Sequence, residues 1–572
     1  MAKNVAIGIQ SFSKLIENDC FYVDKTDFIR EWWDSKDEVT LIARPRRFGK
    51  TLNMSMTEQF FSLEYAQKGG LFEGLSIWEA EAYRNLQGTY PVISLSFAAV
   101  KETCFSEARK SLCRMIEEQY NKYEFLLEKN LLNDKERAFY QEVTAGMSDS
   151  AASAALRMLS DFLYRLYGKK VIILLDEYDT PMQEAYINGY WNEMVSFIRT
   201  LFNSAFKTNP WLERALLTGI TRVSKESVFS DLNNLKVVTA TSEEYASCFG
   251  FTEKEVFLAL DQRNMGDKKE QIKLWYDGFI FGSQRDIYNP WSILNFLDTG
   301  KFSAYWANTS SNSLVSRLLR ESSPRMKETF EELIRGGTLR TSIDEQMVFS
   351  QLDSSEEAIW SLLLASGYLK VLHFEDEIPD GLGEENADWE PVYELALTNL
   401  EVRRMFRSMI RGWFARAEHD YNDFIKGLLQ GNVRAMNTYM NRVALQTFSY
   451  FDTGRNGSFS QPERFYHGFV LGLAVELSGR YFITSNRESG FGRYDVILEP
   501  KKPAEDDAVI LEFKVLDEYD EKDLEDTVAS ALQQIKEKNY SAVLVQKGTP
   551  ESRIRRYGFA FQGKRVLIGQ EL

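Results

Sequence analysis

The sequence predicts an α/β protein. It reads as a parallel β-sheet with flanking helices at the N-terminus, a mostly helical middle region, and a smaller α/β domain at the C-terminus. Three stretches carry that prediction. Leu41-Ile42-Ala43 is a short apolar run that enters the turn-prone segment Arg44-Pro45-Arg46-Arg47-Phe48-Gly49-Lys50-Thr51, and apolar residues then recur at helical spacing through Phe61. Val171-Ile172-Ile173-Leu174-Leu175 is continuously apolar, as a strand buried on both faces of a parallel sheet must be, and it stops at Asp176-Glu177. Ala508 to Val515 alternates, so Glu512 and Lys514 share one strand face while Leu511, Phe513 and Val515 share the other.

The chain has 572 residues, enough for more than one core, and we divide it at residues 1–245, 246–445 and 446–572. Hydrophobic residues at 44% and aromatics at 13% describe a folded chain and exclude a disordered one. Cys20, Cys104, Cys113 and Cys248 lack metal-ligand spacing, and only three histidines exist, which argues against a zinc site and a disulfide framework. The N-terminus, Met-Ala-Lys-Asn-Val, opens no signal peptide and no apolar run approaches a membrane span, so the expected home is the cytoplasm, without membrane. A net charge of −16 argues against nucleic-acid binding over the whole surface but leaves room for a local basic groove.

In chain order, residues 8–33 mix turn signals with aromatic and helical pattern. Phe12, Tyr22 and Asp24-Lys25-Thr26 fit either a base-stacking surface or core packing. Residues 91–97 read as a strand and residues 104–167 as helices with a polar break near 145–148. A helix over 190–207 leads to a further strand over 214–222. Thr252 with Glu255 three residues on predicts a capping box. Trp275-Tyr276-Asp277-Gly278-Phe279 and Tyr288-Asn289-Pro290-Trp291 read as packing corners of a small helical lid. Residues 311–445 are predominantly helical, interrupted by an extended stretch at 366–372 and an acidic loop ending at Glu390. Beyond a linker at 452–458, a helix from Pro462 to residue 477 precedes strands at 481–486, 493–498 and 508–515.

The first stretch has the layout of a P-loop: strand, phosphate-cradling loop, helix N-terminus. Backbone N–H groups of Arg46, Arg47, Phe48 and Gly49 and the positive end of the helix dipole would face the phosphates of ATP. Lys50 is positioned for the β/γ-phosphates and the Thr51 hydroxyl for Mg²⁺. Arg44 stands where the pattern usually has its first glycine. The second stretch has the Walker B pattern, in which Asp176 holds Mg²⁺ and Glu177 polarises the attacking water. Thr221 and Arg222, at the end of the next strand, are candidate γ-phosphate sensors, with a basic strand end as the alternative. In the C-terminal part, Asp495 and Glu512 are hard oxygen ligands for a second Mg²⁺, and Lys514 would stabilise developing charge, a set suited to phosphodiester hydrolysis.

RPRRFGKT (44–51), ILLDEYDTP (173–181), LTGITRVSKESVFSDLNNL (217–235), WYDGFIFG (275–282), IYNPWSILNFL (287–297) and YWANTSSNSLV (305–315) together resemble the bacterial AAA-ATPase-like family. That family shares the arginine at the position of Arg44 and carries a nuclease-superfamily domain at its C-terminus. Tyr494-Asp495 with Glu512-Phe513-Lys514 likewise resembles the PD-(D/E)XK superfamily, whose fold is the restriction-endonuclease-like α/β domain, with Tyr494 in place of its proline. This second resemblance adds Glu463 as a further acidic, metal-binding position, and Gln534 with Tyr540 on the helix after the core. It implies an ATPase joined to a Mg²⁺-dependent nuclease acting on DNA or RNA. The alternative is a nucleotide-dependent switch or scaffold whose C-terminal domain binds nucleic acid or protein without cutting. P-loop ATPases often complete their sites across subunits, so a homo-oligomer with an arginine acting in trans fits the sequence as well. Arg553-Ile554-Arg555-Arg556 with Lys564-Arg565 reads as either a phosphate contact or a solvated tail.

Overall fold

The computed structural model describes residues 3–221, 229, 232–307, 313–344, 352, 355–375, 391–414, 421–447, 470, 477, 480–485, 488–489, 492–493, 496–503, 505–517, 520–563 and 565–571. Arg222, Glu463 and Asp495 lie outside them. The chain divides into two compact units, Met1–Leu318 with Gly336–Met405, and Leu319–Arg335 with Phe406–Leu572. Among the described residues no helix is long and apolar enough to cross a membrane.

The first unit is built on a five-stranded sheet of β1 (Val39–Ala43), β2 (Val92–Ser96), β3 (Val171–Asp176), β4 (Leu212–Gly219) and β5 (Leu235–Val238), in the order β2-β3-β4-β1-β5. Every neighbouring pair is parallel. A parallel sheet needs crossover connections that cover both faces, and β1 and β3 are accordingly buried at every residue. The helix Lys50–Phe61 follows β1. The predicted run at 104–167 forms helices Phe105–Lys122, Asp134–Glu142 and Asp149–Tyr167, the last capped at the polar break by Ser148. Helix Trp191–Phe202 ends in a π-turn over Asn203–Lys207 before β4.

The same unit holds two small sheets. β6 (Phe251–Thr252), β7 (Phe279–Phe281) and β8 (Gln284–Tyr288) pair in the order β6-β8-β7, and Thr252 and Glu255 form the expected capping box on helix Glu253–Gln262. β9 (Leu339–Thr341), β10 (Leu369–Glu375) and β11 (Val392–Leu397) pair in the order β10-β11-β9. β10 is the extended stretch predicted near 366–372. Its antiparallel partner β11, and β9 beyond it, were not legible, because both are short and lack a continuous apolar run.

The second unit contains β12 (Tyr481–Ser485), a two-stranded hairpin of β13 (Glu488–Ser489) and β14 (Gly492–Arg493), then β15 (Val496–Pro500), β16 (Ala508–Val515), β17 (Ile554–Gln562) and β18 (Arg565–Gln570). The main sheet runs β12-β15-β16-β17-β18, with β16 and β17 parallel and the other pairs antiparallel. Helix Leu524–Glu537 makes the crossover that the parallel pair requires. Leu511 and Phe513 enter the core on one face of β16, whereas Ile510 packs with Ile535 and Tyr540 on the other. The period of two therefore holds, and Glu512 lies on the face that the crossover helix covers.

Candidate functional site

The loop after β1 has the backbone its sequence calls for. Arg47 (φ +65°) and Gly49 (φ +84°) both take left-handed conformations, and helix Lys50–Phe61 starts directly after Gly49. A β-carbon at Gly49 would meet no atom within 4 Å, so the glycine is required for its dihedral and leaves the mouth of the loop open. Lys50 is buried, and its ammonium donates to the carbonyls of Arg44 and Pro45, each at 3.0 Å. It also lies 3.7 Å from Glu177 Oε1.

Arg44 does not reach into this cradle. Its fully buried guanidinium donates to the carbonyls of Thr239 at 2.5 Å and Glu244 at 3.3 Å, and it stacks 4.4 Å over the Phe281 ring. The missing glycine has become a staple that ties the loop to the segment after β5.

The acidic end of β3 meets the loop as the pattern requires. Thr51 Oγ1 donates to Asp176 Oδ2 at 2.7 Å, and Thr218 Oγ1 donates to Asp176 Oδ1 at 2.5 Å. Burial raises the Asp176 carboxyl above its usual range, and the two hydroxyls oppose that shift. Thr51 and Asp176 thus bring two hard oxygens together beside Lys50, a donor set that fits Mg²⁺ and the phosphates of a nucleotide. Glu177 sits next to them at φ +53°, a strained conformation that turns its side chain toward Lys50.

Thr221 follows β4, and its hydroxyl donates to Asp179 Oδ2 at 3.0 Å. Sequence reasoning missed Thr218 and Asp179 as site residues. Thr218 belongs there because β4 is inserted between β3 and β1, an order that no local pattern encodes.

The aromatic turn segments pack the loop. Phe48 is buried edge-on against Phe279 at 4.7 Å and Phe281 at 5.4 Å, so of its groups only the backbone is available to a phosphate. Asn289 donates to the Arg46 carbonyl at 3.3 Å, and Arg47 stacks over Trp291 at 4.4 Å. Helix Pro290–Thr299, which carries Trp291, is fixed in turn by Ser292, whose hydroxyl donates to the buried Glu401 at 2.8 Å. Glu401 also accepts from the backbone of Trp306 at 2.6 Å. Glu253, Asp277 and Asp286 converge within 4.8 Å near β8, with Lys273 held to Glu253 at 2.5 Å. Of the two readings of the N-terminal aromatics, the packing one holds: Phe12 is fully buried and stacks on Phe72. Lys25 is paired with Glu255 at 2.7 Å.

In the second unit, Glu512 is buried on β16 and accepts a hydrogen bond from Gln534 Nε2. Gln534 also lies 3.4 Å from the Tyr540 hydroxyl. Lys514 donates to Ser530 at 3.0 Å. Glu512, Lys514 and Gln534 are thus brought together, and Ser530 joins them from the same crossover helix without a sequence signal. Glu512 is the one acidic candidate of this site among the described residues. The C-terminal arginines are engaged within the chain: Arg553 and Arg555 pair with Asp507 at 2.9 and 2.7 Å, and Arg556 pairs with Glu551.

Comparison with known proteins matches residues 6–229 to the family described as predicted AAA-ATPase and residues 461–571 to the PD-(D/E)XK nuclease superfamily. An uncharacterized protein encoded in the vnfD 5′ region of Azotobacter chroococcum mcd 1 is 25% identical over 560 residues, covering 96% of this chain and 95% of that protein. A crystal structure of a signal transduction ATPase with numerous domains (STAND), carrying a tetratricopeptide repeat sensor, from Pyrococcus horikoshii aligns over 79% of this chain at 11% identity and a TM-score of 0.24. The chain spans about half, 53%, of that structure's length.

Proposed function

We propose that this chain, AAA-ATPase-like at residues 6–229 and PD-(D/E)XK-like at 461–571, binds and hydrolyses ATP and couples that cycle to Mg²⁺-dependent cleavage of DNA or RNA. The observation that carries the ATPase half is the hydrogen-bonded series Thr51–Asp176–Thr218 with Lys50 beside Glu177. Lys50 would exchange its two carbonyl acceptors for phosphate oxygens, a stronger charge-assisted pairing. The loop N–H groups would hold the remaining phosphate charge, and Glu177 would orient water toward the γ-phosphate. Mg²⁺, held by Thr51 and Asp176, supplies neutralisation of the phosphate charge when bound. In the second unit, Gln534 fixes the Glu512 carboxylate and Ser530 fixes the Lys514 ammonium, so a ligand and a charge-stabilising cation are pre-positioned on one strand face.

The test is a nucleic-acid panel incubated with purified chain and Mg²⁺, with and without ATP. Lys514→Ala is expected to abolish cutting and spare ATP hydrolysis; cutting that persists in the variant removes Lys514 from the mechanism. For the ATPase, Lys50→Ala is expected to lower nucleotide affinity at least about tenfold, while Glu177→Gln keeps affinity and slows hydrolysis about 10²-fold or more.

A second reading, a nucleotide-dependent switch that binds without cutting, draws support from the C-terminal arginines, whose charge is met by Asp507 and Glu551. Calorimetric metal titration of the wild type and Asp495→Ala separates the two. Equal heats in both favour the switch.

A further inference from the structure

We infer that Gln183 is a positioning residue that links the phosphate loop to the buried carboxylate at the end of β4, so that a nucleoside triphosphate and a diphosphate leave that carboxylate in different arrangements; this deepens the ATP-binding reading and rests on it. Four observations meet at this point. Arg46 Nη2 donates to Gln183 Oε1 at 3.3 Å, and Gln183 Nε2 donates to Asp179 Oδ2 at 3.1 Å. The same Oδ2 accepts the backbone N–H groups of Ile220 and Thr221 and the Thr221 hydroxyl, each at 3.0 Å. Asp179 Oδ1, in the same fully buried carboxylate, accepts no hydrogen bond among the described residues. Gly219 is the residue that lets β4 come this close, because a β-carbon there would lie 2.8 Å from Asp179 Oδ1.

The physical consequence lies in that asymmetric loading. Four donors crowd one oxygen while its twin has none among the described residues, so rotating the carboxylate offers a second arrangement with the same donors shared between two acceptors. Gln183 helps hold the first arrangement, using both ends of its amide. A guanidinium binds a phosphate oxygen more strongly than a neutral amide oxygen, so a γ-phosphate within reach of Arg46 draws it off Gln183. The amide then loses the polarising donor at Oε1, and its bond to Asp179 weakens. The carboxylate, and with it Ile220 and Thr221, is released toward the second arrangement. A diphosphate carries no group to draw Arg46 away. The two nucleotides therefore bias one two-state element differently, which is what discrimination requires.

The experiment measures, on the full-length chain with Mg²⁺, the dissociation constants of a fluorescent ADP and a fluorescent non-hydrolysable ATP analogue. The readout is their ratio, which needs no turnover. The wild type is expected to prefer the triphosphate. Gln183→Ala frees Arg46 in advance and is expected to widen that preference about tenfold, through tighter triphosphate binding, while changing ADP affinity by less than about threefold. Arg46→Ala should narrow it, and the double variant should match Arg46→Ala, since Gln183 acts on the preference only through Arg46. Gln183→Met, which keeps length and removes the amide, repeats the test if Gln183→Ala does not fold. An unchanged ratio in the Gln183 variants, or a double variant whose effect is the product of the singles, overturns the relay while ATP binding stands. So does a wild type that binds both nucleotides equally. A wild type that binds neither overturns the ATP-binding reading itself, and the relay with it.

Discussion

Arg44 shows how a residue can keep its place in a motif and change its work. Replacing it with the glycine the motif usually carries would leave the carbonyls of Thr239 and Glu244 without this donor and open a cavity beside Phe281. Arg44→Gly is expected to cost about 2–4 kcal/mol of stability, read by denaturant unfolding, and to bring no gain in nucleotide affinity. Glu401 offers a second prediction at this scale. Burial pushes its carboxyl up to about 7, against the hydrogen bonds from Ser292 and the backbone of Trp306 and Ala307. Its folded pKa lies above the unfolded one, so its contribution is fully present below about pH 4.5 and is lost as pH rises through about 7. The loss is about 3 kcal/mol. Thermal unfolding of the wild type should therefore lose stability between pH 5 and 7.5 (about the window set by linkage). Glu401→Gln, which has no proton to lose, should give a flatter profile. Equal slopes would show that Glu401 does not titrate there.

At the scale of elements, the insertion of β4 between β3 and β1 decides the site. It sets Thr218 against Asp176 and brings Gly219 beside Tyr178 and Asp179. A β-carbon at Gly219 would approach the Tyr178 ring to 2.7 Å, so Gly219→Ala must displace the end of β4 or the turn after β3. It is expected to destabilise the first unit by about 1–3 kcal/mol and to slow ATP hydrolysis more than the melting shift alone explains. Normal turnover in a folded Gly219→Ala protein would show that this contact does not position the site. The aromatic turns tell a similar story. Trp275 to Phe279 and Tyr288 to Trp291 were legible as packing corners from their aromatic and turn residues. That they pack on Phe48, Arg46 and Arg47 of the loop was not, because the pairing joins residues more than two hundred positions apart in sequence.

For the whole molecule, the order of segments places the AAA-ATPase-like and the PD-(D/E)XK-like residues in separate compact units. If nucleotide turnover governs cutting, Lys50→Ala should cut with added ATP no faster than wild type does without it, while its basal metal-dependent rate is unchanged. ATP-stimulated cutting by Lys50→Ala would uncouple the two. Neighbouring residues alone specify the strand–loop–helix at Lys50, the acid pair at the end of β3 and the alternation that sets Glu512 beside Lys514. Each is a local periodicity or a turn requirement written in neighbouring residues. Three contacts needed the folded chain: Arg44 turns away from the loop's cradle, Thr218 donates to Asp176, and Gln183 with Asp179 links Arg46 to Thr221. Those contacts depend on which strands become neighbours, and the burial of the whole sheet, not any local pattern, selects that order.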